Sequence, residues 1–351
     1  GDTEVAQALR LAGCAAIGVA LVEEGEKIRR AGDRDPILVF GPVDSVAAEA
    51  AIRESLTVVA SDWSHLEALE TAANRLGASA VKIHFEFNTG MNRLGFPVKE
   101  ASRLEKWIRA HREFLLDGIC THLLRGNDAG EPGGESERQL RGLARALTEF
   151  ASHSGLKVHA LNSSASVNLW KRVCTEAELG DGATWPLGAR PGIGLYGVQP
   201  PNDEDVEIGL KPAMTLKSQL VQIHDVEMGA KVSYGPTWTA ASPTIVGVLP
   251  IGYADGYRRA LSNKADVLFR GHRCPQIGTI CMDYFMVDLT NAVEETGSPA
   301  KPGEEIVLLG EQIGPQGTIA ITPQEMADWA GTIPYEILTG ISDRVPRVYI
   351  R

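Results

Sequence analysis

Val81-Lys82-Ile83-His84-Phe85-Glu86-Phe87-Asn88 alternates strictly between apolar and polar side chains. A parallel strand covered by helices on both faces is apolar almost throughout. Here one face carries Lys82, His84, Glu86 and Asn88. A barrel reconciles the two statements, because its inward face holds a packed layer of side chains and the C-terminal end of each strand opens on the active-site mouth. On this reading Lys82 and His84 belong to a hydrogen-bonded polar layer filling the barrel. Glu86 and Asn88 lie nearest the mouth, directly before Thr89-Gly90-Met91-Asn92-Arg93, and are the stronger site candidates.

The flanking sequence repeats the unit. Strand-like runs fall at Ala16–Leu21, Ile37–Phe40, Leu56–Ala60, Ala80–Phe87, Gly118–Leu123, Lys157–Leu161 and Gly192–Tyr196. Amphipathic stretches lie between most of them: Val43–Ser55, Trp63–Leu76, Glu100–Arg112 and Glu137–Ser152. Alternating strands and helices imply a parallel sheet, and this many imply an α/β fold of the (β/α)8 TIM-barrel type. Seven strands are countable, and the chain opens on a helix, Asp2 to Leu11, with no strand before it. The expectation is that the first strand of the barrel is missing from the given chain. After Gln199-Pro200-Pro201 the pattern changes to short strand-like runs separated by turn residues: Leu216–Val226, Thr244–Leu249, Ala265–Phe269, Gln276–Thr279 and Phe285–Leu289, with little helix until Gln324–Trp329. That predicts a barrel domain over residues 1–200 and a mostly antiparallel β domain over residues 201–351.

Composition narrows the partners. The 351 residues are 44% hydrophobic and 23% charged, ordinary for a globular protein. A net charge of -11 argues against nucleic acid, whose phosphates demand basic surface. No apolar run approaches the roughly 20 residues that span a bilayer. The cysteines Cys14, Cys120, Cys174, Cys274 and Cys281 are odd in number and contain no CxxC pair. They fit reduced thiols and a cytoplasmic location better than a disulfide framework or a metal site, so no metal is expected.

Three further stretches invite a functional reading. Gly192-Ile193-Gly194-Leu195-Tyr196-Gly197 matches GxGxxG. A dinucleotide fingerprint needs a preceding strand and a helix opening within it. Arg190-Pro191 before and Pro200-Pro201 after forbid that helix. The glycines instead suit a phosphate at the mouth of the last barrel strand. Asn162-Ser163-Ser164 ends a strand and either meets a phosphate or caps the next helix, with the cap reading ahead. His122, at the C-terminal end of its strand, leans towards the site rather than the core.

Together these segments resemble the alanine racemases, fold-type III enzymes that use pyridoxal 5'-phosphate. The resemblance spans essentially the whole chain. Its carriers are Thr89 to Phe96, Asn162-Ser163, Arg190-Pro191-Gly192-Ile193, Ser233-Tyr234-Gly235, Ile251 to Tyr257, Cys281-Met282-Asp283, and Thr332 to Glu336 with Thr339-Gly340-Ile341. It implies that Asn162, Ser163, the backbone of Gly192 and Ile193, and the Tyr335 hydroxyl surround the cofactor phosphate. It implies Arg190 against the pyridine nitrogen, where a permanent charge disfavours ring protonation and keeps the ring a modest electron sink. His122 would lie against the ring, and Arg93 would meet the cofactor hydroxyl and the substrate carboxylate. One catalytic base would be Tyr234, lent by the partner subunit of a homodimer with shared sites. A phenol titrates at roughly 10 in free solution, so a chain Tyr234–His122–Arg190 would assist it. Met282 and Asp283 from the same partner would line the substrate pocket, and Tyr253 and Arg259 match the corridor leading to it. The implied activity is interconversion of L- and D-alanine for peptidoglycan. A serine or broader amino-acid racemase, and a pyridoxal-phosphate-binding homologue without racemase activity, are the competing readings.

The chain departs from the family pattern in three places. The resemblance puts the cofactor's anchoring lysine on a strand and turn ahead of Asp2, and the sequence holds no substitute, since Lys82 lies early on its strand. Glu86 stands where many members carry a carbamylated lysine, so a ready-made carboxylate would orient Arg93 without that modification. Thr279 replaces an arginine three residues before the Met-Asp pair, and Asn127-Asp128 replaces an acidic segment after the histidine.

Overall fold

The computed structural model describes residues 2–128, 133–168, 187–200, 208–315 and 317–350. Cys174 and Pro201, both named above, lie outside the described residues. Two compact units divide at Gly192/Ile193, with Pro200 grouped with the first.

The first unit is a parallel sheet built from β1 (Ile17–Val19), β2 (Ile37–Val39), β3 (Thr57–Ala60), β4 (Val81–Asn88), a short β5 (Phe96–Pro97), β6 (Phe114–Cys120), β7 (Lys157–Leu161) and β8 (Leu187–Ala189). The strands pair in chain order, β1-β2-β3-β4-β6-β7-β8, with β5 set on β4. A doubly wound open sheet reverses its order at a switch point; this one never does, which is the order a TIM-type barrel requires. Helices α1 (Asp2–Leu11), α2 (Val22–Arg30), α3 (Ser45–Arg53), α4 (Trp63–Leu76), α5 (Ala101–Ala110) and α6 (Glu135–Glu149) return the chain between strands. Their starts follow from capping. Asp44 accepts from the Val46 and Ala47 N–H groups at 3.0 and 2.8 Å, and Asp62 accepts from Ser64 at 2.8 Å, so each satisfies helix donors that have no internal partner. Ile37, Val58, Ile83, Phe85, Phe87, Leu104, Ile119, Leu143 and Phe150 fill the core between sheet and helices.

Several boundaries differ from the sequence expectation. The last strand is Leu187–Ala189, and Ile193–Tyr196 is a 3-10 turn rather than a strand. The cause is local: the Arg190 N–H still donates to the Leu161 carbonyl at 2.6 Å, but Pro191 has no N–H to continue the ladder. The strand expected at Gly118–Leu123 starts earlier, at Phe114, and ends at Cys120. Asp117 and Gly118 interrupt its apolar run and hid that start.

The second unit is antiparallel. Its sheet runs β10 (Gln222–Val226), β13 (Thr244–Leu249), β16 (Phe285–Asp288), β15 (His272–Ile277), β14 (Asp266–Phe269), β17 (Glu305–Gly314), β18 (Gly317–Ile321), with β9 (Leu216–Gln219) also on β17. A separate hairpin joins β11 (Lys231–Val232) to β12 (Trp238–Thr239). The single strand expected over Leu216–Val226 is therefore two, paired to different partners. The run expected at Gln276–Thr279 belongs to β15, which begins at His272. Tyr257 stacks on Phe285 with ring centroids 4.5 Å apart at the centre of this core.

Candidate active site

The mouth of the first unit gathers side chains from the ends of β4, β6, β7 and β8. Arg190, one residue past β8, holds three acceptors. It donates to Nδ1 of His159 at 2.6 Å, to the Thr121 carbonyl at 2.8 Å and to Nδ1 of His122 at 3.3 Å. Its guanidinium also lies 5.5 Å over the Phe40 ring. No carboxylate forms an ion pair with it among the described residues. Both histidines stay neutral: burial, reinforced by Arg190, pushes His122 down to about 4 and His159 down to about 2. Nδ1 of His122 accepts from Arg190, so its proton sits on Nε2, which has no partner among the described residues.

Glu86 is 7% exposed. Burial raises its carboxyl above the usual range, opposed by the nearby charges of Arg190 and Arg93. Glu86 and Arg93 do not form an ion pair; Arg93 is exposed, so their coupling acts through space. The Arg93 turn is tightly tied. Oδ1 of Asn88 accepts from Gly90 and Asn92 N–H groups at 3.1 and 3.0 Å. Gly95 closes the turn at φ +109°, where a Cβ would sit 2.5 Å from the Asn88 nitrogen. Asn88 is thus a turn-former, and Glu86 alone of the two reaches the interior.

The Asn162-Ser163 stretch divides by residue, and the cap reading is the one the hydrogen bonds show. Oδ1 of Asn162 accepts from the Ala165 N–H at 3.0 Å, a helix cap, while its amide donates to the Leu123 carbonyl at 3.4 Å. The Ser163 hydroxyl accepts from the Gly192 N–H at 2.8 Å, so a serine and a glycine amide share one spot at the mouth. Asp128 is structural: it accepts from the Ser136 hydroxyl at 2.6 Å and the Glu135 N–H at 3.1 Å where α6 begins.

The second unit carries its own cavity of about 410 Å³, lined by Tyr234, Tyr253, Arg259, Cys281, Met282, Asp283 and Tyr284. Five residues singled out from the sequence for one pocket and corridor therefore lie together. Thr279 explains the position of Tyr234, since its hydroxyl donates to the Tyr234 carbonyl at 2.8 Å and the Ser233 hydroxyl donates back to the Thr279 carbonyl. The Tyr234 side chain projects into the open, 73% exposed. The Tyr253 and Ala254 N–H groups donate to the Cys281 and Met282 carbonyls, both at 3.1 Å, fixing one side of the cavity to the other. Asp283 is held by Arg344 at 2.8 Å. Tyr335 is half-exposed, and burial raises its phenol.

His159 was missed from sequence, although a signal existed: it is the one polar residue inside Val158-His159-Ala160-Leu161, a strand that should be apolar. Lys82, read as part of the inner layer, is exposed and lines a cavity among the N-terminal ends of β2, β3 and β4. Among the described residues no group of His, Cys, Asp and Glu is placed to hold a metal ion.

Parallel βα units followed by an antiparallel β unit, with titratable groups collected at the strand ends, form an architecture that the comparisons assign to an amino-acid racemase, an isomerase. Residues 1–200 match the alanine racemase N-terminal domain and residues 213–349 its C-terminal domain. The alanine racemase of Geobacter sulfurreducens is 36% identical over 100% of this chain and 87% of its own length. Solved alanine racemases superpose as well. That of the D-cycloserine-producing Streptomyces lavendulae gives a TM-score of 0.83 at 31% identity, covering 100% of this chain and 87% of that one. That of Bartonella henselae, with covalently bound pyridoxal phosphate, gives 0.80 at 28% identity, covering 100% and 89%. The chain belongs to the alanine racemase family, whose members are pyridoxal-phosphate-dependent.

Proposed function

We propose that this chain binds pyridoxal 5'-phosphate at the mouth of its barrel unit and interconverts L- and D-alanine by a two-base mechanism, as a homodimer with shared sites. The observation that carries the reading is Arg190: a cation bonded only to neutral acceptors, beside a histidine kept neutral by burial. Such a guanidinium can donate to a ring nitrogen, since no carboxylate forms an ion pair with it among the described residues. The rest of the donor set fits the same group. The Ser163 hydroxyl and Gly192 N–H, bonded to each other at 2.8 Å, are two polar groups that would turn to a phosphate, with Asn162, Ile193 and the Tyr335 hydroxyl assigned to complete the set.

When bound, pyridoxal phosphate supplies an electron-accepting ring that acidifies the α-proton of an attached amino acid. Arg190 limits how far that ring withdraws charge, because its own charge disfavours protonation of the ring nitrogen. Arg93 binds the substrate carboxylate, with Glu86 shaping the field around it. Tyr234 holds or delivers a proton through its hydroxyl oxygen on one face of the α-carbon, with Met282 and Asp283 confining the substrate and Tyr253 and Arg259 lining the way in. The Nε2 proton of His122 is the point through which the charge of Arg190 reaches that phenol. Of the two lysines on barrel strands among the described residues, Lys82 is exposed at the far end and Lys157 pairs with Asp117 at 2.8 Å; neither takes the anchoring role. The product suits D-alanine supply for peptidoglycan in the cytoplasm.

The decisive experiment is a chiral assay of the cofactor-loaded protein and its Tyr234→Phe variant on alanine and on serine. The variant should lose about 10²- to 10⁴-fold in turnover from L-alanine, the worth of a positioned proton-transfer group, and retain the cofactor. Equal loss of cofactor and turnover makes Tyr234 structural, and faster turnover of serine than alanine moves the substrate to the broader racemases.

A further inference from the structure

Behind Arg190 the barrel interior holds a line of side chains that the reaction above does not use. His159 and His84 are 8% and 1% exposed. Nε2 of His159 lies 2.8 Å from Nδ1 of His84, and Nε2 of His84 lies 3.3 Å from Oδ2 of Asp117. Oδ2 of Asp117 is met from outside by Nζ of Lys157 at 2.8 Å. The line runs from β8 through β7 and β4 to β6. The backbone makes room for it: a Cβ on Gly118 would sit 2.5 Å from Cε1 of His84, and one on Gly188 would sit 3.1 Å from Cβ of His159.

The direction of every proton follows from the two ends. A guanidinium only donates and an ionised carboxylate only accepts. Nδ1 of His159 therefore carries a lone pair, and its proton lies on Nε2. Nδ1 of His84 must accept that proton, so His84 also carries its own on Nε2 and gives it to Asp117. Burial keeps both rings neutral, while the bond from His84 and the charge of Lys157 keep Asp117 ionised. The charged and titratable groups facing the pair are Asp117, Lys157 and Arg190, with Glu86 and His122 beyond the arginine.

We propose that Asp117 and His84 are positioning residues for Arg190, acting through His159: the carboxylate and the guanidinium pin two imidazoles in one tautomer, and the bonded line holds the arginine at the height its partner ring nitrogen requires. The proposal rests on the reading of Arg190 given above. A buried bonded line polarises its members, so the carboxylate strengthens the lone pair that His159 offers. Protonating either ring would break the line, because an imidazolium has no acceptor for Arg190 or for its neighbour.

The test uses the full-length, cofactor-loaded protein with ¹⁵N-labelled histidine. His84 and His159 should each show a protonated Nε2 and an unprotonated Nδ1 at pH 7, and His159 should keep that pattern down to pH 5. A protonated Nδ1, or an imidazolium, on either ring at pH 7 overturns the proposal, and this measurement needs no variant. The Asp117→Asn variant should shift the Nδ1 resonance of His159 and lower kcat about tenfold, the usual cost of an outer partner of a functional group, with KM for alanine changed far less. Unaltered His159 resonances and unaltered kcat would reduce the line to core filling. Failure of the Tyr234→Phe assay would overturn the reaction assignment while the nitrogen resonances still reported on the line.

Discussion

Glu86 brings a carboxylate into the barrel without a cation close enough to pair with it among the described residues, and burial raises its pKa. An acid whose folded value lies above its unfolded one stabilises the fold below the unfolded value and loses that contribution as pH rises through the folded one. Burial thus makes the charged form of Glu86 the costly one in the fold, and the charges of Arg190 and Arg93 offset part of that cost. Glu86→Gln should raise KM for alanine several-fold, about 1 kcal/mol of substrate binding, without lowering Tm. Thermal melts beside steady-state kinetics decide this, and a lower Tm with unchanged KM would mean Glu86 serves packing alone. At Arg190 the fork geometry matters as much as the charge, since three acceptors are engaged at once. Arg190→Lys should lose about 10²-fold or more in kcat, as expected when a preorganised donor is lost. Full turnover with lysine would show that charge alone suffices.

The Arg93 turn and β4 work as one element. Asn88 ends the strand and bonds both Gly90 and Asn92, while Gly95 lets the chain return against the strand it has just left. Gly95→Ala forces an unfavourable φ and a clash with backbone, so it should destabilise the fold by more than about 1 kcal/mol and raise KM through Arg93. Chemical denaturation with a KM measurement tests both arms. The same element shows what was readable beforehand. Alternation in Val81–Asn88 is a property of consecutive residues, and it exposed the barrel and the inner face together. The partner of His84 is 75 positions away, and no local pattern announces a bond across the inside of a barrel. Helices were legible to the residue at Asp2–Leu11 and Trp63–Leu76. Thr290–Thr296 and Pro334–Thr339, each a short helix among strands, were not.

Across the whole molecule, buried neutral histidines set an acid limit. Burial lowers His65, His84, His122 and His159 below their free value. A histidine with a depressed folded pKa contributes stability that is complete above the unfolded value of roughly 6.5 and is lost progressively as pH falls towards the folded one. For His159, whose folded value is about 2, the slope is about 1.4 kcal/mol per pH unit below roughly pH 6.5. Tm should therefore fall between pH 7 and pH 5, and His159→Gln should flatten that fall; an equal slope in the variant would place the acid sensitivity elsewhere. The proposed sharing of the site between two subunits makes a second whole-molecule prediction. Mixing the inactive Arg190→Ala and Tyr234→Phe chains, then refolding them together, should restore about a quarter of native activity, because half the dimers are mixed and each has one intact site. No restoration would place both residues in one subunit's site.

The amino-acid sequence by itself determined the periodicities, the caps and the glycines, and through them the parallel unit, the antiparallel unit and the family. These depend on residues a few positions apart, where sterics and hydrogen bonding act directly. Only the tertiary structure decided that Pro191 ends the last strand, that Asn162 caps while Ser163 meets Gly192, and that Asp117, His84 and His159 line up behind Arg190. The bonds joining Ser163 to Gly192, and Arg190, His159, His84 and Asp117 to one another, link residues far apart in the chain. The packing of strands sets their distance, and burial sets their charge.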